Sequence, residues 1–104
     1  MAQGFDAVWN QITGMLRPGA EVRNWGVARG YTGGSFRVDD LERTSVTVSG
    51  GDMQMPRRIF KGDFEKVYAV WDDYRAGNLP RMKLRELSQN TTYILSIFHM
   101  VLDA

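Results

Sequence analysis

Arg81, Lys83 and Arg85, preceded by Arg57, Arg58 and Lys61, are the densest source of positive charge in this chain. Guanidinium and ammonium groups so grouped can grip phosphates, and a nucleic-acid backbone is one partner with that chemistry. Arg81 and Arg85 stand four apart and share a helix face, whereas Lys83 points about 160° away from them. The charge is local rather than global. The net charge is only +1, with a slight acidic bias in the first half and a slight basic bias in the second.

Ser96, His99 and Asp103 have the residue types of a nucleophile, a base and an orienting acid. They lie at i, i+3 and i+7 along one predicted helix. A working triad needs its serine exposed at a sharp turn beside an oxyanion hole, and a helix face offers neither because its amides are already bonded. The three therefore read as the polar side of an amphipathic helix, and no catalysis through His99 is expected.

His99 is the single histidine and there is no cysteine. That excludes a disulfide framework, a thiol nucleophile, an iron–sulfur cluster and a cysteine zinc site. A zinc site without cysteine would need several histidines, or histidine with carboxylates. Asp39, Asp40 and Glu42 stand close together but lack the ligand period and glycine of a calcium loop. They read as a solvated turn, and Asp72-Asp73 as the wet face of a helix. No metal site, cofactor or catalytic residue is expected, and the chain is expected not to be an enzyme.

The segment Gly30-Tyr31-Thr32-Gly33-Gly34-Ser35 invites comparison with phosphate loops. No Lys-Ser/Thr follows its last glycine, and the strand–turn–helix setting of a dinucleotide fingerprint is missing. It reads as a turn whose glycines take positive φ. Tyr31, Thr32, Gly33 and Gly34 could still hold a ligand through exposed amides and the tyrosine ring.

The elements that must position these groups follow from period and punctuation. Phe5, Val8, Trp9, Ile12, Met15 and Leu16 recur at helical spacing and predict a helix over residues 5–16, ended by Pro18-Gly19. Val22, Trp25 and Val27 suggest a short extended segment. Phe36 and Val38, then Val46 and Val48, alternate with polar residues as half-buried strands do. Gly50-Gly51-Asp52 suits a hairpin connection, with Met53, Met55 and Ile59 on the returning strand. Pro56 confines that strand to an edge or breaks it. Phe64, Val67, Tyr68, Trp71 and Tyr74 then predict one helix from Asp63, as N-cap, to Ala76, with Gly77 just past its end. Pro80 opens a further helix. Asn90 can cap a last one running from Thr91 to about Leu102.

The fold class expected is α+β: an N-terminal helix, a small antiparallel sheet of three or four strands, and a C-terminal helical region packed on the sheet. At 104 residues the chain has the size of a single domain spanning 1–104. The first residues lack the pattern of a secretory signal and no window is apolar enough to span a membrane, so a soluble, cytoplasmic protein is expected. The last helix is unusually apolar. It is either deeply buried or in contact with another chain, and a homodimer interface through Leu95, Phe98, Met100 and Leu102 is expected.

The run Asp63-Phe64-Glu65-Lys66-Val67-Tyr68, with Trp71, Tyr74, Gly77, Arg81, Leu84 and Asn90-Thr91-Thr92-Tyr93-Ile94, resembles a pattern of small hypothetical proteins of bacterial mobile elements, of the integron gene-cassette type. The resemblance covers about residues 35–102 and carries over no catalytic residue. It implies a bacterial accessory protein. The helix, polar turn and helix of residues 80–102 also have the layout of a helix-turn-helix. Three readings stay open. The first is non-catalytic nucleic-acid binding through the C-terminal helices by Arg57, Arg58, Lys61, Arg81, Lys83 and Arg85. The second is a protein-interaction or self-assembly module. The third is a small-ligand binder at the glycine-rich segment.

Overall fold

The structure is a computed structural model and describes residues 4–51 and 53–103. It has the α+β architecture expected. Helix α1 (Phe5–Met15) leads into four strands, β1 (Glu21–Gly26), β2 (Gly30–Glu42), β3 (Ser45–Ser49) and β4 (Arg57–Phe60). Four helices follow: α2 (Lys61–Tyr68), α3 (Trp71–Arg75), α4 (Arg81–Arg85) and α5 (Thr91–Leu102). The strands form one antiparallel meander in the order β1-β2-β3-β4.

Period-two alternation decides which face of the sheet is dry. Val22 pairs with Phe36, Val38 with Val48, and Val46 with Ile59. Each pair projects into a single buried cluster that also takes Val8, Trp9 and Ile12 from α1. Pro56 acts as expected. β4 begins after it, holds four residues and lies at the sheet edge, leaving Met53 and Met55 outside the strand.

On the opposite, wet face, Arg37 Nε donates to Asp39 Oδ1 at 3.0 Å and Arg37 Nη2 to Ser49 Oγ at 3.1 Å. Hydrogen bonding from Ser49 and from Arg37, then the charge of Arg37, holds the Asp39 carboxyl below its ordinary value. Its contribution to stability is therefore present above the ordinary carboxylate range and lost as pH falls through the lowered value. Arg37→Ala should return the Asp39 carboxyl resonance, followed by NMR through acid titration, toward the midpoint of an unpartnered aspartate.

Three expectations need correction. Gly30 to Gly34 are not a loop but the start of β2, and the turn falls at residues 27–29. Tyr31, Thr32, Gly33 and Gly34 thus lie on a strand. Between the pairs Arg23↔Ser35 and Trp25↔Tyr31 the register shifts, and Gly33 supplies the bulge with a φ of +94° that a side chain would resist. The helix expected over residues 63–76 is two. It breaks at Val70, whose φ of −118° and ψ of 11° leave the helical region. The break keeps Phe64, Val67 and Tyr68 in the main core while Trp71 and Tyr74 turn toward Trp25 of β1. Asp63, finally, does not cap the helix. It lies inside α2 and accepts a 2.9 Å hydrogen bond from Ser88 Oγ.

The broad apolar face of α5 is explained by burial. The helix packs on β1, α1 and α2, and five consecutive residues from Ile94 to Phe98 are enclosed. Phe98 meets Phe64, Tyr68 and Trp71 ring to ring at 5.3–5.8 Å, a favourable aromatic range. Ser96 interrupts this run for a reason. Its hydroxyl donates to Thr92 O at 2.7 Å and accepts the amide of Trp25 at 3.0 Å. Tyr74 Oη likewise accepts the amide of Val27. The bond from Trp25 occupies an amide on the outer edge of β1, and that from Val27 an amide of the turn that follows it. Ser96→Ala should cost about 1–3 kcal/mol, since it orphans the Trp25 amide. Chemical denaturation with the native fluorescence retained would measure the loss.

Among the described residues no helix is long and apolar enough to cross a membrane.

Candidate anion-binding site

A cavity of about 640 Å³ opens between the β1–β2 turn and the connection from α3 to α4. Val27, Ala28, Leu79 and Pro80 give it apolar walls, and Thr32 and Tyr74 bring hydroxyls to it. Three arginines line it from separate parts of the chain: Arg29 from the turn, Arg75 from the end of α3, and Arg81 from the start of α4. Among the described residues no aspartate or glutamate lines it. A mostly apolar cleft of this size with a few convergent polar groups has the form of a small-molecule site, and its arginines have the charge to suit an anion.

Each arginine is held differently. Arg29 is exposed, and no ion pair or hydrogen bond engages it among the described residues. Arg75 lies 2.9 Å from Asp103 Oδ1, with its guanidinium over the Trp71 ring. That contact is an ion pair rather than an aligned hydrogen bond, because Asp103 Oδ1 is enclosed without a donor in line. Arg81 donates from Nη2 to the Thr92 hydroxyl, and its Nε is enclosed with no acceptor. An enclosed charged donor without a partner is costly. Gly26 adjoins both Tyr74 and Arg81: a Cβ there would make ordinary contacts of 3.5 Å to Tyr74 Oη and 3.9 Å to Arg81 Nη1.

Behind Arg75 runs a second set of contacts. Asp103 Oδ2 bonds His99 Nδ1 at 2.9 Å. The His99 ring lies flat on Trp25, with centroids 4.0 Å apart and planes 2° from parallel, and meets Tyr31 edge-on at 5.5 Å. Glu21, Arg23, Tyr31 and His99 border a smaller cavity of about 170 Å³. His99 and Asp103 are therefore joined as their spacing suggested, while Ser96 is committed to the backbone bonds described above.

The six basic residues named from sequence do not form one strip. Arg57 and Arg58 are successive on β4 and face opposite sides of the sheet. Arg57 reaches Asn90 and the Tyr93 ring, whereas Arg58 bonds Ser45 and Glu42 and covers Phe60. Lys61 lies 3.4 Å from Asp6 of α1. Lys83 and Arg85 are exposed on α4, and Arg81 alone of the six lines the cavity. From the glycine-rich segment, Thr32 lines the large cavity and Tyr31 the small one, while Gly34 sits against Asn24 at the bulge. Of the four expected interface residues, Leu95 and Phe98 are fully enclosed in the chain's own core and present no surface to a second copy. Met100 is 38% exposed and Leu102 half-buried.

Comparison of the chain with protein-family models, with curated proteins and with solved structures finds no match. The chemistry of the site rests on its own geometry.

Proposed function

We propose that this protein is a non-catalytic, cytoplasmic binder of a small anionic molecule with an apolar body, held in the cavity between the β1–β2 turn and the α3–α4 connection. The observation that carries the reading is the convergence of Arg29, Arg75 and Arg81 on one apolar-walled cavity that, among the described residues, no carboxylate lines. The arginines would fix the anionic group through charge-assisted hydrogen bonds, and Val27, Leu79 and Pro80 would cover the apolar part. Thr32 adds a hydroxyl that orients the ligand. This is the small-ligand reading of the sequence, moved from the glycine-rich segment to the cavity beside it.

Nucleic-acid binding by the C-terminal helices has less support. The second helix of the pair is buried along most of its length, and the basic residues are scattered: Arg57 and Arg58 face opposite sides of the sheet, Lys61 stands on α2, and Arg81, Lys83 and Arg85 on α4. Duplex DNA therefore belongs in the test as a competitor. Calorimetry against aromatic sulfonates, aromatic carboxylates, nucleoside monophosphates and a mixed-sequence duplex should show saturable binding of the small anions. An uncharged analogue of the same shape should bind far more weakly. Binding of the duplex alone would restore the nucleic-acid reading, and equal binding of the charged and uncharged analogues would remove the role of the arginines.

A further inference from the structure

We infer that anion binding in this cavity is coupled to protonation of His99, with Asp103 as the shared carboxylate between them. The inference rests on the anion-binding reading and adds its regulation.

Asp103 spends its two oxygens on two cations, or potential cations. Oδ1 lies 2.9 Å from Arg75 Nη2 and Oδ2 lies 2.9 Å from His99 Nδ1. The Asp103 side chain is 11% exposed and that of His99 21%, so solvent screens their contact less than a surface pair, while Arg75, 47% exposed, is screened more. With His99 neutral, the charges of Arg75 and Asp103 cancel. Much of the pull of Arg75 on an anion in the cavity is then offset by the carboxylate behind it. A proton on His99 gives the cluster a net positive charge and divides Asp103 between two cations. Arg75 is then freer to attract an anion.

The protonation requires no rearrangement. Nδ1 is already engaged with Asp103, so the second proton arrives on Nε2. The other charged groups facing His99 are Glu21 and Arg23 of β1, which border the same small cavity. Arg23 also lies 4.0 Å over the ring of Tyr31, which meets His99 edge-on. Trp25 covers one face of the imidazole without a charge. Imidazole is the side-chain type whose charge change falls within the physiological range, whereas a guanidinium keeps its charge there.

The sign follows from linkage. If protonation favours the anion, the anion favours protonation by the same factor. Affinity rises as pH falls, and binding takes up protons. The test uses naphthalene sulfonate, whose charge is fixed over the interval. Calorimetry at pH 5.5 and pH 8.0, in buffers of different ionisation enthalpy, should give roughly five-fold tighter binding at the lower pH, near the low end for coupled sites. Proton uptake should appear between those limits. His99→Gln, with its fold checked by circular dichroism, should flatten the pH dependence. Asp103→Asn should bind more tightly than the unmodified protein at pH 8.0, because Arg75 loses its competitor. The His99 ring signals, followed by NMR, should titrate at higher pH when the sulfonate is bound. Equal affinity at both pH values, or a dependence that survives in His99→Gln, overturns the coupling and leaves the binding site standing. Absence of sulfonate binding at either pH overturns the site and the coupling together.

Discussion

Arg81→Ala should weaken binding of an aromatic sulfonate or phosphate by about 10- to 150-fold. A hydrogen bond to a charged group is worth about 1.5–3 kcal/mol, and each 1.4 kcal/mol or so is a factor of ten in Kd. Arg81 is half-buried beside Gly26, so its charge acts where solvent screening is reduced. Arg29→Glu should show a comparable loss for a different reason, since it puts a negative charge at the cavity mouth. The pair of variants separates binding from folding. Arg29 is exposed, so its reversal should leave the melting temperature nearly unchanged, whereas Arg81→Ala also removes the contact with Thr92. Arg85→Glu is the control. It reverses an exposed charge on α4 that does not line the cavity, and binding should stay within a few-fold. Calorimetric titration of the three variants reads all of these effects.

The second large effect concerns stability. Phe98→Ala should cost about 3–5 kcal/mol, the usual range for removing an enclosed aromatic ring. That is a large share of the roughly 5–15 kcal/mol that holds a domain together. Phe98 is fully enclosed and touches Phe64, Tyr68 and Trp71, so the loss belongs to a single chain. The shift in denaturation midpoint should therefore be the same at low and high protein concentration. A loss that grew on dilution would assign Phe98 to an interface between copies, as a subunit contact weakens by mass action.

How much of this was legible beforehand depends on whether the signal was local. Helix α1 was legible because Phe5, Val8, Trp9 and Ile12 mark one stripe and Pro18-Gly19 stop it. Strand β3 was legible because Val46 and Val48 alternate with polar residues. Pro56 announced the short edge strand. The break at Val70 carried no such mark: no proline or glycine stands there, and the aromatic stripe runs straight through it. What bends the chain is tertiary, the packing of Trp71 and Tyr74 against Trp25 some 46 positions earlier. The glycines misled in the other direction. Their positive φ was expected, but it serves a bulge inside β2 as well as a turn.

The site was the least legible part. Arg81 and Thr32 were both singled out, but for different chemistry and at different places. Arg29 and Arg75 carried no signal, because each is an ordinary surface arginine until the β1–β2 turn is laid beside the end of α3. The joining of His99 to Asp103 followed from helical spacing. The ion pair of Asp103 with Arg75 did not, since those residues belong to different helices. Convergence of isolated residues across the fold has no period along the chain, and a single sequence does not display it.

The most direct test is an NMR titration of the backbone amides with naphthalene sulfonate. Saturable shifts should centre on residues 26–32 and 74–81, the two segments that frame the cavity, and should largely vanish in Arg81→Ala. Shifts centred instead on the exposed residues of α4 and the first turn of α5, or no saturable shifts at millimolar sulfonate, would contradict the assignment of this cavity as an anion-binding site.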